Sequence, residues 1–424
     1  MRNRDILTLS AGFSALCGLA PASAADWQGF ADTLSAAGVR PAVTYEGGPA
    51  ANLSGGETRG ATYTNNLSVQ LSFDGNRLIG VPGLSAYLDG LWIAGGDPSK
   101  LVGDAQGVSN IAGPGAVRIY EAWVQYNVPS GVFSVLAGRY DLNTEFYHLS
   151  SADLFLNSSF GIGAAFGLSG FAGPSVFPDT TLGVRLGYKP SANSVLRLGV
   201  LDGAPLNPLN GSPDPFSAQA GVLLVAEAAL LTRPVAPDTP GGRRYRIGRR
   251  GTPLPYDDKI AVGAWYYTAT FNEPGPASPG MARARHSGEG GAYLVLDRIL
   301  FQSAQDPARR LTGFVQAGIA DQVVDRFGSY IGAGVAVAGL VPGRPGDQFG
   351  LAMAMARNGS EYLSAEQQAV SPVAAAETAV ELTYQAELAT SVSVQPDLQY
   401  VIHPNTDPRL RNALVAQFRV QLSF

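Results

Sequence analysis

Cysteine, histidine and charge are all scarce in this sequence, and each shortage excludes a class of function. Its 424 residues include one cysteine, Cys17, and three widely spaced histidines, His148, His286 and His403. Neither a disulfide framework nor a cysteine-based metal site can be built from these residues. Charged residues make up 15%, the net charge is −5 and the pI is near 5.3. We therefore predict no cofactor, no metal and no nucleic-acid partner.

Long hydrophobic runs are also missing, apart from one at the N-terminus. Beyond it no segment approaches the about 18 to 20 continuous apolar residues of a membrane helix, although 46% of the residues are hydrophobic. The apolar residues alternate instead. Over 410–424, Phe418, Val420, Leu422 and Phe424 alternate with largely polar positions. Since successive side chains of a strand point to opposite faces, this pattern is typical of the closing strand of an outer-membrane β-barrel.

The N-terminal run has the three parts of a secretory signal. Arg2 and Arg4 precede a short apolar stretch, residues 6–19, and Ala-Ser-Ala at 22–24 offers a small-residue cleavage site. The apolar stretch is too short to cross a bilayer comfortably. We predict a signal peptide over residues 1–24 that is removed on export.

A short helix and one barrel domain account for the rest of the chain. Trp27, Phe30 and Leu34 at helical spacing predict a short periplasmic helix over 25–38. Residues 39–424 contain sixteen strand candidates, joined alternately by tight turns and long loops, which predicts an all-β transmembrane antiparallel barrel. The arginine-rich segment 232–257 interrupts this alternation, and a missed strand pair there would give eighteen strands.

Strand parity predicts which side chains face the polar interior. The inward charged set from four strands comprises Arg185, Arg197, Glu377, Glu381 and Asp397. In the strand at 117–126, Tyr120 and Val124 are assigned to lipid, which places Glu121 and Trp123 inside. A lumen of mixed charge suits an uncharged, hydroxyl-rich solute better than ions of one sign. Ordinary wall charges that pair across a wet lumen are the alternative.

The long connection 141–179 has a polar start and an aromatic body. Asp141, Asn143 and Glu145 open it, and its body contains Phe155, Phe160, Phe166, Phe171 and Phe177. A loop this apolar would be poorly placed in bulk water. We therefore expect it to fold into the barrel.

Several runs resemble the carbohydrate-selective porin family, the OprB-type porins. They are GRYDLNTEF at 138–146, LFLNSSFG at 154–161, VFPDTTLGVRLGY at 176–188 and ETAVELTYQAEL at 377–388. The resemblance implies a sixteen-stranded barrel that passes mono- or oligosaccharides by facilitated diffusion, with a waist lined by arginine, acidic and aromatic side chains. The positions that match such a waist are Arg139, Asp141, Asn143 and Glu145, with Glu121 and Trp123 on the neighbouring strand.

Three other functions stay open at this point. They are a general diffusion porin without sugar selectivity, an outer-membrane hydrolase and a secreted all-β binding protein. We do not predict an enzyme, because neither G-x-S-x-G nor H-E-x-x-H occurs. The expected location is the bacterial outer membrane, and the expected partners are its lipid, sugars, and the barrel-assembly machinery through the C-terminal Phe424.

Overall fold

Sixteen strands form a closed antiparallel barrel. The computed structural model describes residues 21–205, 216–217, 220–233, 256–274 and 284–424. The strands are β1 Val39–Ser54, β2 Gly60–Asp74, β3 Leu84–Gly95, β4 Ala116–Asn127, β5 Phe133–Tyr140, β6 Thr181–Ser191, β7 Ser194–Asp202, β8 Val222–Thr232, β9 Asp258–Asn272, β10 Arg285–Gln302, β11 Arg310–Ala320, β12 Phe327–Ala338, β13 Gln348–Asn358, β14 Ala376–Ala389, β15 Val392–Ile402 and β16 Ala413–Ser423. Each strand pairs with its neighbours in sequence, and β16 pairs with β1. The predicted all-β barrel of sixteen strands is confirmed.

Direct pairing of β8 with β9 decides the strand number. Leu223 pairs with Tyr267 at one end and Thr232 with Asp258 at the other. This ladder leaves no room for a further strand pair between β8 and β9, so the eighteen-strand alternative is wrong. The arginine-rich part of segment 232–257 lies outside the described residues, as do residues 1–20 of the signal peptide predicted over 1–24.

The barrel has a turn side and a loop side. Hairpins such as β6–β7 and β14–β15 close within a few residues on the turn side. The loop side carries longer connections, including the β3–β4 loop (residues 96–115) and the β5–β6 loop (residues 141–180). Because the strand number is even, the start of β1 and the end of β16 both lie on the turn side.

Side-chain exposure alternates along the strands as parity predicts. In β6, Leu182, Val184 and Leu186 are exposed on the outside, whereas Arg185 is buried inside. An apolar exterior around a polar interior is the reverse of a water-soluble protein, and it suits a barrel surrounded by lipid. The predicted faces are confirmed for this strand.

A β-bulge in β4 corrects the predicted outward orientation of Tyr120. Asp89 pairs with Glu121 and Gly90 pairs with Ile119, so Tyr120 is the extra residue. The bulge turns the tyrosine inward, where its side chain is buried and its hydroxyl forms a hydrogen bond. Strict alternation has no means of anticipating the extra residue.

Two helices lie at the turn side. Helix α1, Pro21–Ala37, leads into β1, and the single-turn helix α2, Gly75–Ile79, lies between β2 and β3. Arg77 Nη1 donates to the Ser35 carbonyl at 2.9 Å and joins the two helices. The predicted short N-terminal helix is therefore present. Among the described helices, none combines the length and apolar content needed to cross a membrane.

The β5–β6 loop folds into the barrel, as expected from its composition. Its phenylalanines meet aromatic residues of the far wall: the ring centroids of Phe155 and Phe314 are 5.6 Å apart, and those of Phe166 and Trp265 are 4.4 Å apart. These rings belong to one buried cluster that includes many of the loop's apolar side chains. The loop therefore supplies the hydrophobic core that a barrel with a polar interior otherwise lacks.

Candidate solute pathway

The β3–β4 and β5–β6 loops meet inside the barrel and form one body. Asn110 N donates to the Leu156 carbonyl at 2.8 Å, and Ser158 N donates to the Gly107 carbonyl at 2.8 Å. The Asn110 amide also donates to the Phe155 carbonyl at 3.1 Å. The two loops therefore narrow the lumen together.

Carboxylates of β14 hold the main chain of both loops. Glu381 accepts hydrogen bonds from Leu156 N at 2.6 Å and Asn157 N at 2.9 Å. Glu377 accepts from Ala105 N at 2.9 Å and Gln106 N at 3.0 Å. Both acids lie inside the barrel, and both are fully buried. Their oxygens are engaged by backbone N–H groups, which identifies them as anchors for the loops.

A ladder of alternating charges fixes the first turn of the β5–β6 loop. Arg185 donates through Nε to Glu145 Oε2 at 2.7 Å and through Nη2 to Oε1 at 3.0 Å, a two-pronged pairing. Arg197 Nε lies 3.7 Å from Glu145 Oε1, and its Nη1 lies 3.4 Å from Glu227 Oε1. Lys259 Nζ lies 3.4 Å from the same Glu227 oxygen. The structure thus brings the predicted Glu145, Arg185 and Arg197 together.

Sequence reasoning missed Glu227 as a functional residue. Its Oε2 accepts from Tyr147 N at 2.8 Å and from the Tyr293 hydroxyl at 2.9 Å, so it anchors the loop from β8. A signal was available, because Glu227 is the only charged residue in the apolar strand VLLVAEAALLT. A charge in the middle of such a strand is expected to face inward, because a charge on the lipid face costs most at mid-membrane.

Glu121 and Trp123 lie side by side on the inner face of β4. Trp123 Nε1 donates to Glu121 Oε2 at 3.0 Å, and the Trp123 ring stacks on Tyr87 with 5.3 Å between centroids. Asp141 N approaches the same Glu121 oxygen at 3.4 Å. This wall therefore combines a carboxylate with a two-ring aromatic surface.

Asn143 shapes the loop, while Arg139 departs from its predicted orientation. The Asn143 amide donates to the Phe146 carbonyl at 3.2 Å and to the Gly161 carbonyl at 2.9 Å. Arg139 pairs with Leu182 on β6, an outward residue, and cross-strand partners share a face. Its inward orientation is therefore corrected: the register of β5 directs it to the outer face.

A second charged group lies where β15, β16 and β1 meet. Arg419 Nη1 donates to the Asn110 side-chain oxygen at 2.7 Å, and Arg419 interacts electrostatically with Glu46 and Asp397. Asp397 accepts from Gln399 Nε2 at 3.0 Å. Asp397 therefore lies inside the barrel, as its strand position predicts, and its buried carboxylate interacts with Arg419.

The pKa of one acid in the β3–β4 loop, Asp104, is strongly raised. Burial, and then the negative charge of Glu377, raise the pKa of Asp104 to about 7 from the ordinary 3.8. Asp104 Oδ2 also accepts from Gly107 N at 2.7 Å, which partly opposes the shift. Asp104 therefore keeps its proton to a higher pH than an ordinary aspartate does.

The barrel interior offers polar binding without the arrangement of a metal centre. In the described ranges, no group of three or more His, Cys, Asp or Glu is placed to hold a metal ion. The interior wall instead carries carboxylates, guanidinium groups and aromatic rings close to one another. Such a surface can bind hydroxyl groups reversibly.

A closed barrel with an apolar exterior and a narrowed, charged interior defines the porin class of membrane channel. Residues 58–424 match the family described as "Carbohydrate-selective porin, OprB family". The chain belongs to this family, whose members are outer-membrane channels and not enzymes.

Similar proteins agree with this assignment. Porin B of Pseudomonas aeruginosa is 23% identical over 428 residues, covering 94% of this chain and 90% of that protein. The high-pH structure of Pseudomonas putida OprB aligns with a TM-score of 0.81 at 21% identity, covering 94% of this chain and 97% of that one. The channel DcaP of Acinetobacter baumannii aligns at 0.53 with 10% identity, covering 91% and 97%. These structural likenesses support the fold.

Proposed function

We propose that this protein lets carbohydrates cross the outer membrane by facilitated diffusion through the barrel interior. The observation that carries the proposal is the family match over residues 58–424. The chemistry of the interior fits it: carboxylates accept from sugar hydroxyls, guanidinium groups donate to them, and aromatic rings cover the apolar C–H face. An uncharged polyol finds partners throughout, whereas an ion of one sign meets repulsion as well as attraction.

The solute path is proposed to follow the wall made by β16, β1, β2, β3 and β4. The β5–β6 loop is bound to β6 through Arg185, to β8 through Glu227, to β10 through Asp297 and to β14 through Glu381. Gln316 of β11 and Tyr330 of β12 donate to its carbonyls as well. The bulk of the β5–β6 loop therefore occupies that half of the barrel. The solute is proposed to pass along the opposite half, which the β3–β4 loop narrows through its contact with Arg419.

Polar side chains on the remaining wall are the proposed solute contacts. They are Glu46, Ser68, Gln70, Asp89, Glu121, Trp123 and Arg419. Ser68 Oγ donates to Asp89 Oδ1 at 2.6 Å, and Gln70 Nε2 donates to Ser68 Oγ at 3.0 Å, so these groups form a connected polar strip. The other inward residues of the predicted set are proposed to shape the path. Asp397 acts through Gln399, which also donates to the Val108 carbonyl of the β3–β4 loop. The rest belong to the loops or hold them: Asp141, Asn143, Glu145, Arg185, Arg197, Glu377 and Glu381.

Swelling of proteoliposomes in isotonic solutes tests the proposal. Glucose-sized sugars should enter faster than amino acids of similar size, and equal rates would reduce the protein to a general diffusion porin. Glu121→Gln and Arg419→Gln should each change sugar rates by about tenfold, because a hydrogen bond to a charged group contributes at least about 1.5 kcal/mol, and about 1.4 kcal/mol is a factor of ten. Glu361→Gln and Arg409→Gln, on the exposed loop side, are the matched controls. Unchanged rates in both lumen variants would move the path elsewhere.

Two partners are proposed alongside the solute. Outer-membrane lipid surrounds the apolar exterior, and the assembly machinery engages the last strand through Phe424. The backbone N and O of Phe424 pair with Val43 at 2.9 and 3.0 Å, while half of the side chain stays exposed. A terminal aromatic that closes the barrel through its backbone yet presents its ring outward suits recognition during insertion. The signal peptide over 1–24 is proposed to direct export.

A further inference from the structure

Helix α1 carries an apolar face that the barrel leaves open. Trp27, Phe30 and Leu34 recur at helical spacing, and the Trp27 and Phe30 rings lie 5.9 Å apart. None of the side chains described in α1, residues 27–37, is buried, and Phe30 is 54% exposed. A helix packed onto the barrel mouth would bury this face. Within the described ranges, no residue buries the apolar face of α1.

Contacts to the barrel fix where this face lies. Asp74 N donates to the Gly38 carbonyl at 2.8 Å, and Arg77 Nη1 donates to the Ser35 carbonyl at 2.9 Å. Both bonds tie the end of α1 to α2, on the turn side. Helix α2 itself exposes Ile79, 67% accessible, next to Leu78. Two neighbouring helices thus expose apolar side chains at the same place.

Exposed apolar residues at the turn side are not confined to these two helices. Other turn-side ends also expose large apolar residues, and these are Phe133, Phe301, Leu340 and Leu388. They extend the outward apolar rows of their strands to the membrane boundary, where aromatic residues are enriched in barrels of this kind. The exposed residues of α1 and α2 lie at the same end of the molecule.

We propose that α1 lies flat on the turn-side leaflet of the membrane, with Trp27, Phe30 and Ile79 inserted at the boundary of headgroups and acyl chains. An amphipathic helix of this kind buries its apolar face about 5–10 Å into that region. The opposite face fits the assignment, because Gln28 and Asp32 are exposed and polar. The helix therefore anchors the barrel at a fixed depth.

Depth-dependent quenching tests the proposal on the full chain. In a Cys17→Ser background, single thiols at Phe30→Cys and Ile79→Cys carry an environment-sensitive fluorophore. Asp32→Cys, about 200° away on the same helix, and Ala304→Cys, in the exposed β10–β11 turn, are the controls. Each labelled protein is reconstituted into proteoliposomes. Its fluorescence is quenched either by nitroxide-labelled phospholipid within the bilayer or by iodide added to permeabilised vesicles.

The labels at positions 30 and 79 should be quenched by the nitroxide lipid at least twice as strongly as those at 32 and 304, and iodide should show the reverse order. Equal iodide quenching at 30 and 32 would overturn the proposal. Protection of position 30 from both quenchers, with energy transfer between labelled copies, would also overturn it, because the helix would then contact another copy. Circular dichroism of each variant checks that the barrel is folded.

Discussion

Neutralising Glu145 should release the β5–β6 loop from the barrel wall. Glu145→Gln keeps the side-chain size but removes the charge that faces Arg185 and Arg197, where Arg185 donates at 2.7 and 3.0 Å. Removing one partner of a buried ion pair costs about 3–5 kcal/mol. Arg185 keeps its bonds to Gln125 and Ser134, so we expect the lower value. About 3 kcal/mol raises the undocked population about 100-fold.

Hydrogen exchange and single-channel recording measure this release. Backbone amides of residues 142–166 should exchange about 100-fold faster in Glu145→Gln, with strand amides unchanged. Conductance in planar bilayers should become larger and noisier, because the loop no longer narrows the lumen. Glu361→Gln, in the exposed helix Ser360–Gln368, is the matched control. Native exchange and conductance in Glu145→Gln would refute the assignment of Glu145 as the anchor.

Two further predictions concern pH and assembly. Burial and the negative charge of Glu377 raise the pKa of Asp104 to about 7 in the folded protein, whereas an aspartate of the unfolded chain loses its proton near pH 4. Between these two values the folded state binds more protons than the unfolded state. The free energy of unfolding should therefore fall as the pH rises from about 4 to 7. The thermal midpoint should be higher at pH 5 than at pH 8, with a shallower slope in Asp104→Asn; identical slopes would contradict this. Deleting Phe424 should reduce the amount of folded protein in the outer membrane while leaving the conductance of inserted channels unchanged, and normal insertion would count against the proposed recognition.

The number of strands and the direction of their side chains were predictable, because lipid restricts one face of every strand to apolar residues. A charge in the lipid-facing row costs several kcal/mol at mid-membrane, so Arg185 and Glu381 could be assigned inward from parity alone. The rule fails where the ladder is irregular. The bulge at Tyr120 shifts parity by one residue, and the short β5 gave too few apolar positions to fix the facing of Arg139.

The composition of the β5–β6 loop predicted that it folds into the barrel, but not which residues hold it there. Five phenylalanines predicted that the β5–β6 loop is buried, and the structure agrees. Its anchors could not be found in the same way, because a carboxylate that accepts backbone N–H groups leaves no trace in the sequence of the loop. Glu381 and Leu156 are 225 positions apart, and any loop residue could donate the same bond. Only the fold brings the two together.

Loop anchoring and solute binding compete for the same residue types in this barrel. An isolated carboxylate in a narrow lumen is costly unless hydrogen bonds satisfy it, and Glu377, Glu381 and Glu227 are satisfied by the loops and by neighbouring side chains. Neutralising them should therefore change the shape of the lumen first. We propose that selectivity depends instead on charged groups of the opposite wall, such as Glu121 and Arg419. A count of inward charges consequently overestimates the number of groups that a sugar can contact.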